Sequence, residues 1–260
     1  MIYFCSDLDN TLIYSYRHDI GNSKVLVETK DGKELSYMTK IAHSLLKKAA
    51  QDGSFVPLTT RSLEQYFRID FGEAVPVRYA LAVNGGILLE HGKIDTQWQR
   101  ESKDITEYAQ EELEKGIRIL EKDPEVCFQV RKVDELFVFT KSNNVPATLQ
   151  RLKEALDTEK VYIDCNGAKV YITPTRMNKG ASLQRFHEYV GLEHRILSAG
   201  DSEFDIPMLL AADKAYCPQE LLEKMVSMGY ENTEHIRGFA PKDFCQEMLQ
   251  CVLAEKNISN

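Results

Sequence analysis

Short apolar runs and amphipathic segments alternate along much of the chain. The runs MIYFCSDL, SFVPLTT, RYALAVNGG and HRILSAGD are apolar and short, which favours buried strands. The segments MTKIAHSLLKKAAQDG and MNKGASLQRFHEYVG carry apolar residues at the spacing of one helix face. Strands that alternate with helices in this way predict an α/β fold with a doubly wound parallel sheet.

The middle of the chain has a different pattern. After a hairpin-like stretch, the charged amphipathic segment DITEYAQEELEKGIRILEKD predicts one long helix over residues 104–123. A strand, a second helix and two strands around Asn166-Gly167 follow. We therefore predict a parallel-sheet core domain formed by residues 1–86 and 175–260, with an α+β domain inserted at residues 87–174.

Composition and charge narrow the classes of partner. The chain is 43% hydrophobic and 28% charged, which is ordinary for a globular protein. Its formal net charge of -8 disfavours binding to nucleic acid. Since we find neither a signal peptide nor an apolar run of about 18 residues, we expect a cytoplasmic protein with no membrane partner. No pattern in the sequence specifies an oligomeric state.

The six cysteines form no CxxC pair, which argues against structural zinc and against a disulfide framework.

Polar clusters follow the predicted core strands, at the sheet edge where open α/β proteins bind ligands. These clusters are Asp7 and Asp9 after the first strand, Thr59, Thr60 and Arg61 after the second, and Asp201 and Asp205 after a late strand. Lys179 lies at the start of a predicted helix. Buried carboxylates as close as Asp7 and Asp9 repel each other and require a cation. Acids, hydroxyls and a fixed cation together favour phosphate chemistry around Mg²⁺.

The four motifs resemble those of a known family. DLDNTL, the Thr-Thr-Arg after FVPL, the lysine in MNKGASL, and GDSEFDIPML are similar, in order and spacing, to the motifs of the haloacid dehalogenase superfamily of phosphohydrolases. The inserted domain resembles the cap of subfamily IIB, which is typified by Cof-type sugar phosphatases and sucrose-phosphate phosphatases. This resemblance implies a Rossmann-like core with a cap, and a Mg²⁺-dependent phosphatase acting on a small phosphorylated metabolite, with a sugar phosphate favoured.

The resemblance also implies roles for individual residues. Asp7 matches the nucleophile that forms an aspartyl-phosphate, and Asp9 matches the general acid/base. Lys179 matches the cation that neutralises the phosphoryl oxygens and steadies Asp7. The implied Mg²⁺ ligands are the side chain of Asp7, the backbone carbonyl of Asp9 and the carboxylate of Asp201.

Other positions carry supporting roles in the same resemblance. Thr59 matches the hydroxyl that hydrogen-bonds the phosphoryl group. Thr60 replaces a frequent glycine, so either threonine is a candidate donor. Asp205 is expected to orient metal-bound water or Lys179. The candidate substrate-binding residues are Thr60, Arg61, Asn84 and Gly85. For Asn84-Gly85, a turn without a role in binding is an equally good interpretation.

Two further interpretations of function stay open. Related enzymes with a similar cap are phosphosugar mutases, and a non-catalytic phosphometabolite-binding protein would keep the fold without turnover. Taken alone, an Asp-x-Asp at a strand end is more often a turn or a helix cap. The hairpin at about residues 24–37 resembles an enlarged form of the flap that gates such sites, and is alternatively a decoration of the sheet edge.

Overall fold

The computed structural model describes residues 1–242 and 244–258, which form two compact units. The larger unit contains Met1–Asp95 and the chain from Lys179 onward, and the smaller unit is Thr96–Asn178. These boundaries lie nine and four residues later than the 86/87 and 174/175 divisions expected from the sequence. The assignment of the inserted segment as a cap stays a prediction.

The strands are short, and most were expected from apolar runs in the sequence. They are β1 (Ile2–Ser6), β2 (Tyr14–Ser15), β3 (Lys24–Lys30), β4 (Lys33–Thr39), β5 (Phe55–Pro57), β6 (Tyr79–Ala82), β7 (Ile87–Glu90), β8 (Lys93–Ile94), β9 (Arg131–Val133), β10 (Phe137–Lys141), β11 (Val161–Asn166), β12 (Lys169–Pro174), β13 (Arg195–Ala199), β14 (Lys214–Pro218) and β15 (Ile236–Phe239).

The helices connect these strands in both units. They are α1 (Lys40–Ala49), α2 (Leu63–Tyr66), α3 (Thr96–Thr106), α4 (Gln110–Leu120), α5 (Val145–Ala155), α6 (Lys179–Val190), α7 (Ile206–Ala211), α8 (Gln219–Ser227) and α9 (Phe244–Ile258), with short 3-10 helices at Glu107–Ala109 and Glu203–Asp205. Asp243 lies outside the described residues.

A five-stranded parallel sheet with the order β15-β14-β13-β1-β5 forms the centre of the larger unit. All five residues of β1 are buried, as expected for a strand in a parallel sheet that is covered on both faces. The strand order reverses between β1 and β13, and ligands of open α/β sheets bind at the carboxyl ends of strands at such a switch point. The predicted α/β class with a parallel sheet is confirmed.

The larger unit also contains the predicted hairpin, which is formed by β3 and β4. Asp31 (φ 51°) and Gly32 (φ 73°) make the tight turn between these strands. β2 pairs with β4, so the hairpin is part of a three-stranded antiparallel sheet. The pairing of β3 with β4 shifts register on both sides of Glu28, which marks a β-bulge at that residue.

The smaller unit is an antiparallel sheet with the order β11-β12-β10-β9, and α4 and α5 contact it. Its core includes Val138, Leu152 and Ile172. The single helix predicted over 104–123 is wrong, because α3 ends at Thr106 and α4 starts only after a 3-10 turn. The hydroxyl of Thr106 donates to the carbonyl of Lys103, a local bond that competes with helix continuation.

The helix that follows β5 is short. α2 spans only Leu63–Tyr66, although Ser62 and Gln65 form the capping box that starts it. Among the described residues, no helix combines the length and the apolar character needed to cross a membrane.

Candidate active site

A buried lysine lies between two carboxylates at the carboxyl edge of the parallel sheet. Lys179, the first residue of α6, is 2% exposed, and its Nζ donates to Oδ1 of Asp7 and to Oδ1 of Asp205, both at 2.5 Å. Burial alone would lower the pKa of Lys179, but the charges of Asp205 and Asp7 outweigh it and raise this pKa. For Asp7, burial raises the pKa and the charge of Lys179 opposes that rise.

The second carboxylate oxygen of Asp205 organises the loop after β13. It accepts hydrogen bonds from the backbone N–H groups of Asp201 (3.1 Å) and Ser202 (3.0 Å), and from the Ser202 hydroxyl (2.9 Å). A Cβ at Gly200 would lie 2.3 Å from the Cβ of Asp205, so only glycine fits there. The GDSEFD segment thus folds around Asp205, whose other oxygen contacts Lys179.

Asp201 completes a group of three acids. One oxygen each of Asp7, Asp201 and Asp205 lie within 4.8 Å of one another. Burial, and then the charge of Asp205, raise the pKa of Asp201 to about 7. The Thr11 hydroxyl donates to Oδ1 of Asp201 at 3.1 Å, a contact that the sequence analysis missed. Three carboxylates against one ammonium leave an excess of negative charge, which a hard cation with oxygen ligands would offset.

Asp9 forms an ion pair with Arg61. Its Oδ2 accepts from Nε of Arg61 (2.8 Å) and its Oδ1 from Nη2 of Arg61 (2.7 Å), so the pair is bidentate. The side chain of Asp9 is 48% exposed. Asn10 has φ 61°, a left-handed conformation that asparagine tolerates in a turn.

Arg61 also contacts Glu28, a residue that was not predicted from the sequence. Nη1 and Nη2 of Arg61 lie 2.8 and 3.0 Å from the two carboxylate oxygens of Glu28. Glu28 is buried, and this burial alone would raise its pKa, but hydrogen bonds from Arg61 and Ser36 outweigh the effect and lower the pKa. No signal in the sequence marks Glu28, because it lies in a hairpin whose strands are largely polar.

The remaining predicted residues form a third group around two loops. Oγ1 of Thr59, which is buried, accepts from the backbone N–H of Arg61 at 3.2 Å. The backbone N–H of Asn84 donates to the carbonyl of Thr59 at 2.8 Å. Gly85 has φ 83°, and a Cβ there would lie 2.2 Å from the Cβ of Ser182. Thr60 is partly exposed beside Thr59.

The structure therefore brings the buried Asp7, Lys179 and Asp205 together with the partly buried Asp201, and it pairs Asp9 with Arg61. The expected contact of Asp205 with Lys179 is present. The catalytic, metal-binding and substrate-binding roles of these residues, including those of Thr59, Thr60, Asn84 and Gly85, stay predictions.

Comparisons with known proteins agree with this arrangement. Residues 94–220 match the family described as haloacid dehalogenase-like hydrolase. That range contains the smaller unit together with Lys179, Asp201 and Asp205. A phosphoglycolate phosphatase from Methanosarcina acetivorans is 29% identical over 136 residues, which are 51% of this chain and 58% of that protein. The chain thus spans less than two thirds of that relative's length.

Solved structures share the fold over nearly the whole chain. The sucrose-phosphatase of Synechocystis sp. PCC6803, in complex with sucrose and phosphate, has a TM-score of 0.62 at 17% identity, covering 96% of this chain and 97% of that one. A haloacid dehalogenase subclass IIB sugar phosphatase has a TM-score of 0.59 at 13% identity, covering 97% and 100%. At these identities the likeness establishes the fold.

Proposed function

We propose that this chain, which belongs to the haloacid dehalogenase-like hydrolases, is a Mg²⁺-dependent phosphatase that hydrolyses small phosphorylated metabolites, with sugar phosphates as the expected class. The observation that carries the proposal is the buried ammonium of Lys179, which is shared by Asp7 and Asp205 next to Asp201. Phosphoryl transfer requires a positioned nucleophile and compensation of negative charge, and this cluster contains groups for both.

The donor set fits Mg²⁺. Carboxylate oxygens are the ligands that this ion prefers. Burial and the neighbouring carboxylates raise the pKa values of Asp7 and Asp201, and a bound cation would oppose this rise. Asp7 and Asp201 would hold the ion through their side chains, and Asp9 through its backbone carbonyl. When bound, Mg²⁺ would offset negative charge on the transferring phosphoryl group.

In the proposed first step, a carboxylate oxygen of Asp7 attacks phosphorus and the bond from phosphorus to the ester oxygen breaks. The product is an aspartyl-phosphate. Asp9, which for this step carries a proton on one oxygen while the other still accepts from Arg61, gives that proton to the departing alkoxide, which leaves as the alcohol. Lys179 fixes the orientation of Asp7 through the bond to its Oδ1, and it balances charge on the phosphoryl oxygens.

In the proposed second step, water attacks the phosphorus of the aspartyl-phosphate. Asp9, now a carboxylate, accepts a proton from that water, and the bond from phosphorus to Asp7 breaks. Inorganic phosphate leaves, and both aspartates return to their starting states. The Thr59 hydroxyl, buried at the end of the second core strand, would hydrogen-bond the phosphoryl group in both steps.

Support for small substrates comes from the names of similar proteins. The relative from Methanosarcina acetivorans is named a phosphoglycolate phosphatase, and the structure of the Synechocystis enzyme contains sucrose and phosphate. A cytoplasmic location stays a prediction from the sequence.

The testing experiment is an assay of phosphate release, with and without Mg²⁺. The panel contains phosphoglycolate, sucrose phosphate, trehalose 6-phosphate, other sugar phosphates and p-nitrophenyl phosphate. We expect Mg²⁺-dependent release by the wild type, and a loss of about 1,000-fold or more in Asp7→Asn, which replaces the nucleophile by an amide. No release from any compound would contradict the proposal, as would substantial Mg²⁺-dependent activity of Asp7→Asn.

The same assay tests Asp9. Asp9→Asn should slow the hydrolysis of alkyl phosphates by about 100-fold or more, because the alkoxide then departs without a proton. A normal rate on unactivated alkyl phosphates would contradict the role of Asp9 as acid and base. If phosphate is transferred between sugar hydroxyls in the presence of a bisphosphate, rather than released to water, the enzyme is a mutase.

A further inference from the structure

The guanidinium of Arg61 binds two carboxylates along two adjacent edges. The edge formed by Nε and Nη2 contacts Asp9, at 2.8 and 2.7 Å. The edge formed by Nη1 and Nη2 contacts Glu28, at 2.8 and 3.0 Å. Because the guanidinium is planar and rigid, fixing one edge also fixes the direction of the other.

Glu28 is itself firmly held. It is 3% exposed, and the β-bulge at its position directs its side chain away from the regular alternation of β3. Its Oε2 accepts from the Ser36 hydroxyl at 2.6 Å, and its Oε1 accepts from Nε of Arg68 at 3.2 Å. Glu28 also bridges to Ile69 through the backbone, so the hairpin is joined to the segment that follows α2.

The side chain of Asp9, in contrast, is held by Arg61 at both carboxylate oxygens. Its carboxylate is half-exposed and follows β1 in a turn, so the bidentate contact with Arg61 restricts its rotamers. An acid/base group has to stay within about 3 Å of the atom that it protonates, and small displacements cost large factors in rate.

We infer that Glu28 is a positioning residue for the reaction: it fixes Arg61, and Arg61 in turn aims the carboxylate of Asp9. This inference rests on the proposed phosphatase function, in which Asp9 is the acid and base. It also assigns a purpose to the enlarged β3–β4 hairpin, which supplies the buried carboxylate on which the position of Arg61 depends.

The first test compares Glu28→Gln with Glu64→Gln. Glutamine keeps the shape of Glu28 but loses the charge that holds Arg61. Glu64 is a matched control, because it is exposed and forms an ion pair with Arg68 at 3.6 Å. The measured quantity is kcat/KM for two substrates: the alkyl phosphate of the panel that the wild type hydrolyses fastest, and p-nitrophenyl phosphate.

For Glu28→Gln, we expect kcat/KM on the alkyl phosphate to fall about 10-fold more than on p-nitrophenyl phosphate. The reason is that p-nitrophenolate departs with little help from an acid, whereas an alkoxide requires the proton of Asp9. Glu64→Gln should change neither value. A general weakening of the structure would lower kcat/KM for both substrates by the same factor. An unchanged ratio of the two kcat/KM values in Glu28→Gln therefore overturns the inference.

A double variant tests whether the effect passes through Asp9. In the Asp9→Asn background, Glu28→Gln should cause no further fall in kcat/KM on the alkyl phosphate, since the group that it positions is already gone. Full additivity of the two losses overturns the inference. If Glu28→Gln does not fold, Ser36→Ala removes one bond to Glu28 and should shift the same substrate ratio in the same direction, and no shift counts against the inference.

A spectroscopic readout is independent of turnover. In ¹⁵N NMR spectra, the Nε–H signal of Arg61 should exchange faster with water in Glu28→Gln than in the wild type, and should stay unchanged in Glu64→Gln. An unchanged Arg61 signal in Glu28→Gln overturns the inference. A wild type that is active on the panel, with an unchanged substrate ratio in Glu28→Gln, contradicts this inference alone. A wild type that releases no phosphate contradicts the proposed function and this inference together.

Discussion

Nζ of Lys179 lies 2.5 Å from Oδ1 of Asp7, and both side chains are buried in the larger unit. The two residues are 172 positions apart in the chain. The ammonium therefore serves two purposes. It is the nearest positive charge for a predicted nucleophile, and it compensates two buried carboxylates.

Removal of this lysine should destabilise the fold. Lys179→Met leaves Asp7 and Asp205 buried without their counter-charge, and we expect a loss of about 3 to 5 kcal/mol in the free energy of unfolding. Urea denaturation in Mg²⁺-free buffer measures this loss.

Lys256→Met is the matched control. Lys256 is also mostly buried, and it donates to the Ala49 carbonyl, the Ser54 hydroxyl and Asp52. Because Asp52 is half-exposed and can be hydrated, the loss in this variant should be only about 1 to 2 kcal/mol. An equal or smaller loss in Lys179→Met would contradict the view that the buried cluster depends on its ammonium.

Mg²⁺ should stabilise the protein against heat. Binding to the folded state alone adds about 2.7 kcal/mol at a concentration 100 times Kd. The increase in Tm should disappear in Asp201→Asn, which loses a predicted ligand. It should persist in Asp31→Asn, which removes an acid from an exposed turn that tolerates asparagine. The measurement is differential scanning calorimetry, and an equal shift in Asp201→Asn would refute its assignment as a ligand.

Gly85→Ala should destabilise the fold for two reasons, a steric clash of the new Cβ and an unfavourable backbone conformation. Its φ of 83° strains any other residue, and the new Cβ would lie 2.2 Å from the Cβ of Ser182 on α6. Gly167→Ala has a similar positive φ of 57° but open space around the new Cβ. We expect a loss of about 1 kcal/mol in Gly167→Ala and at least about 3 kcal/mol in Gly85→Ala. Similar losses in urea denaturation would contradict the close approach to Ser182.

The smaller unit should lose stability in acid through Asp123. Burial would raise the pKa of Asp123, but hydrogen bonds from the Glu125 N–H, Thr148 and Arg151 lower it. A carboxyl whose pKa is lower when folded contributes stability above its unfolded pKa of about 4, and this contribution is lost as the pH falls through the folded value.

We therefore expect Asp123→Asn to cost about 1 to 3 kcal/mol near pH 7. Its stability should also fall less steeply than that of the wild type below about pH 4. Asp104→Asn, on the exposed face of α3, is the control and should change neither quantity. The measurement is urea denaturation at several pH values, with hydrogen exchange of the backbone amides in the smaller unit as the probe of its unfolding. If the stability of Asp123→Asn falls with pH as steeply as that of the wild type, this account is contradicted.

The sequence predicted the centre of the fold because the decisive signals there are local. β1 is mostly apolar and is followed directly by Asp7, so both the buried strand and the acid after its carboxyl end are apparent from a few residues. The position of Lys179 at the start of α6 was apparent from the order of the motifs. Its contact with Asp7 also requires that β13 lie next to β1, which a parallel sheet with a switch point allows.

The features that the sequence did not predict depend on tertiary structure. Glu28 reads as one polar residue among several in β3, and only the bulge and the burial of its side chain distinguish it. β15 was missed because IRGF is short and contains an arginine and a glycine, and parallel pairing with β14 stabilises it. The break between α3 and α4 lies at Thr106, whose hydroxyl bond to the Lys103 carbonyl is not revealed by periodicity.

The pairing of β1 with β13 has a consequence for synthesis of the protein. Ile2 pairs with Arg195, so at about 5 to 20 residues per second the ribosome needs roughly 10 to 40 s to produce the second partner of the first strand. Until then, one hydrogen-bonding edge of β1 is open, and Asp201 and Asp205 have not yet been translated. The acidic cluster thus assembles only after most of the chain has been translated, and a nascent chain that stops before Arg195 exposes an apolar strand edge to chaperones and aggregation.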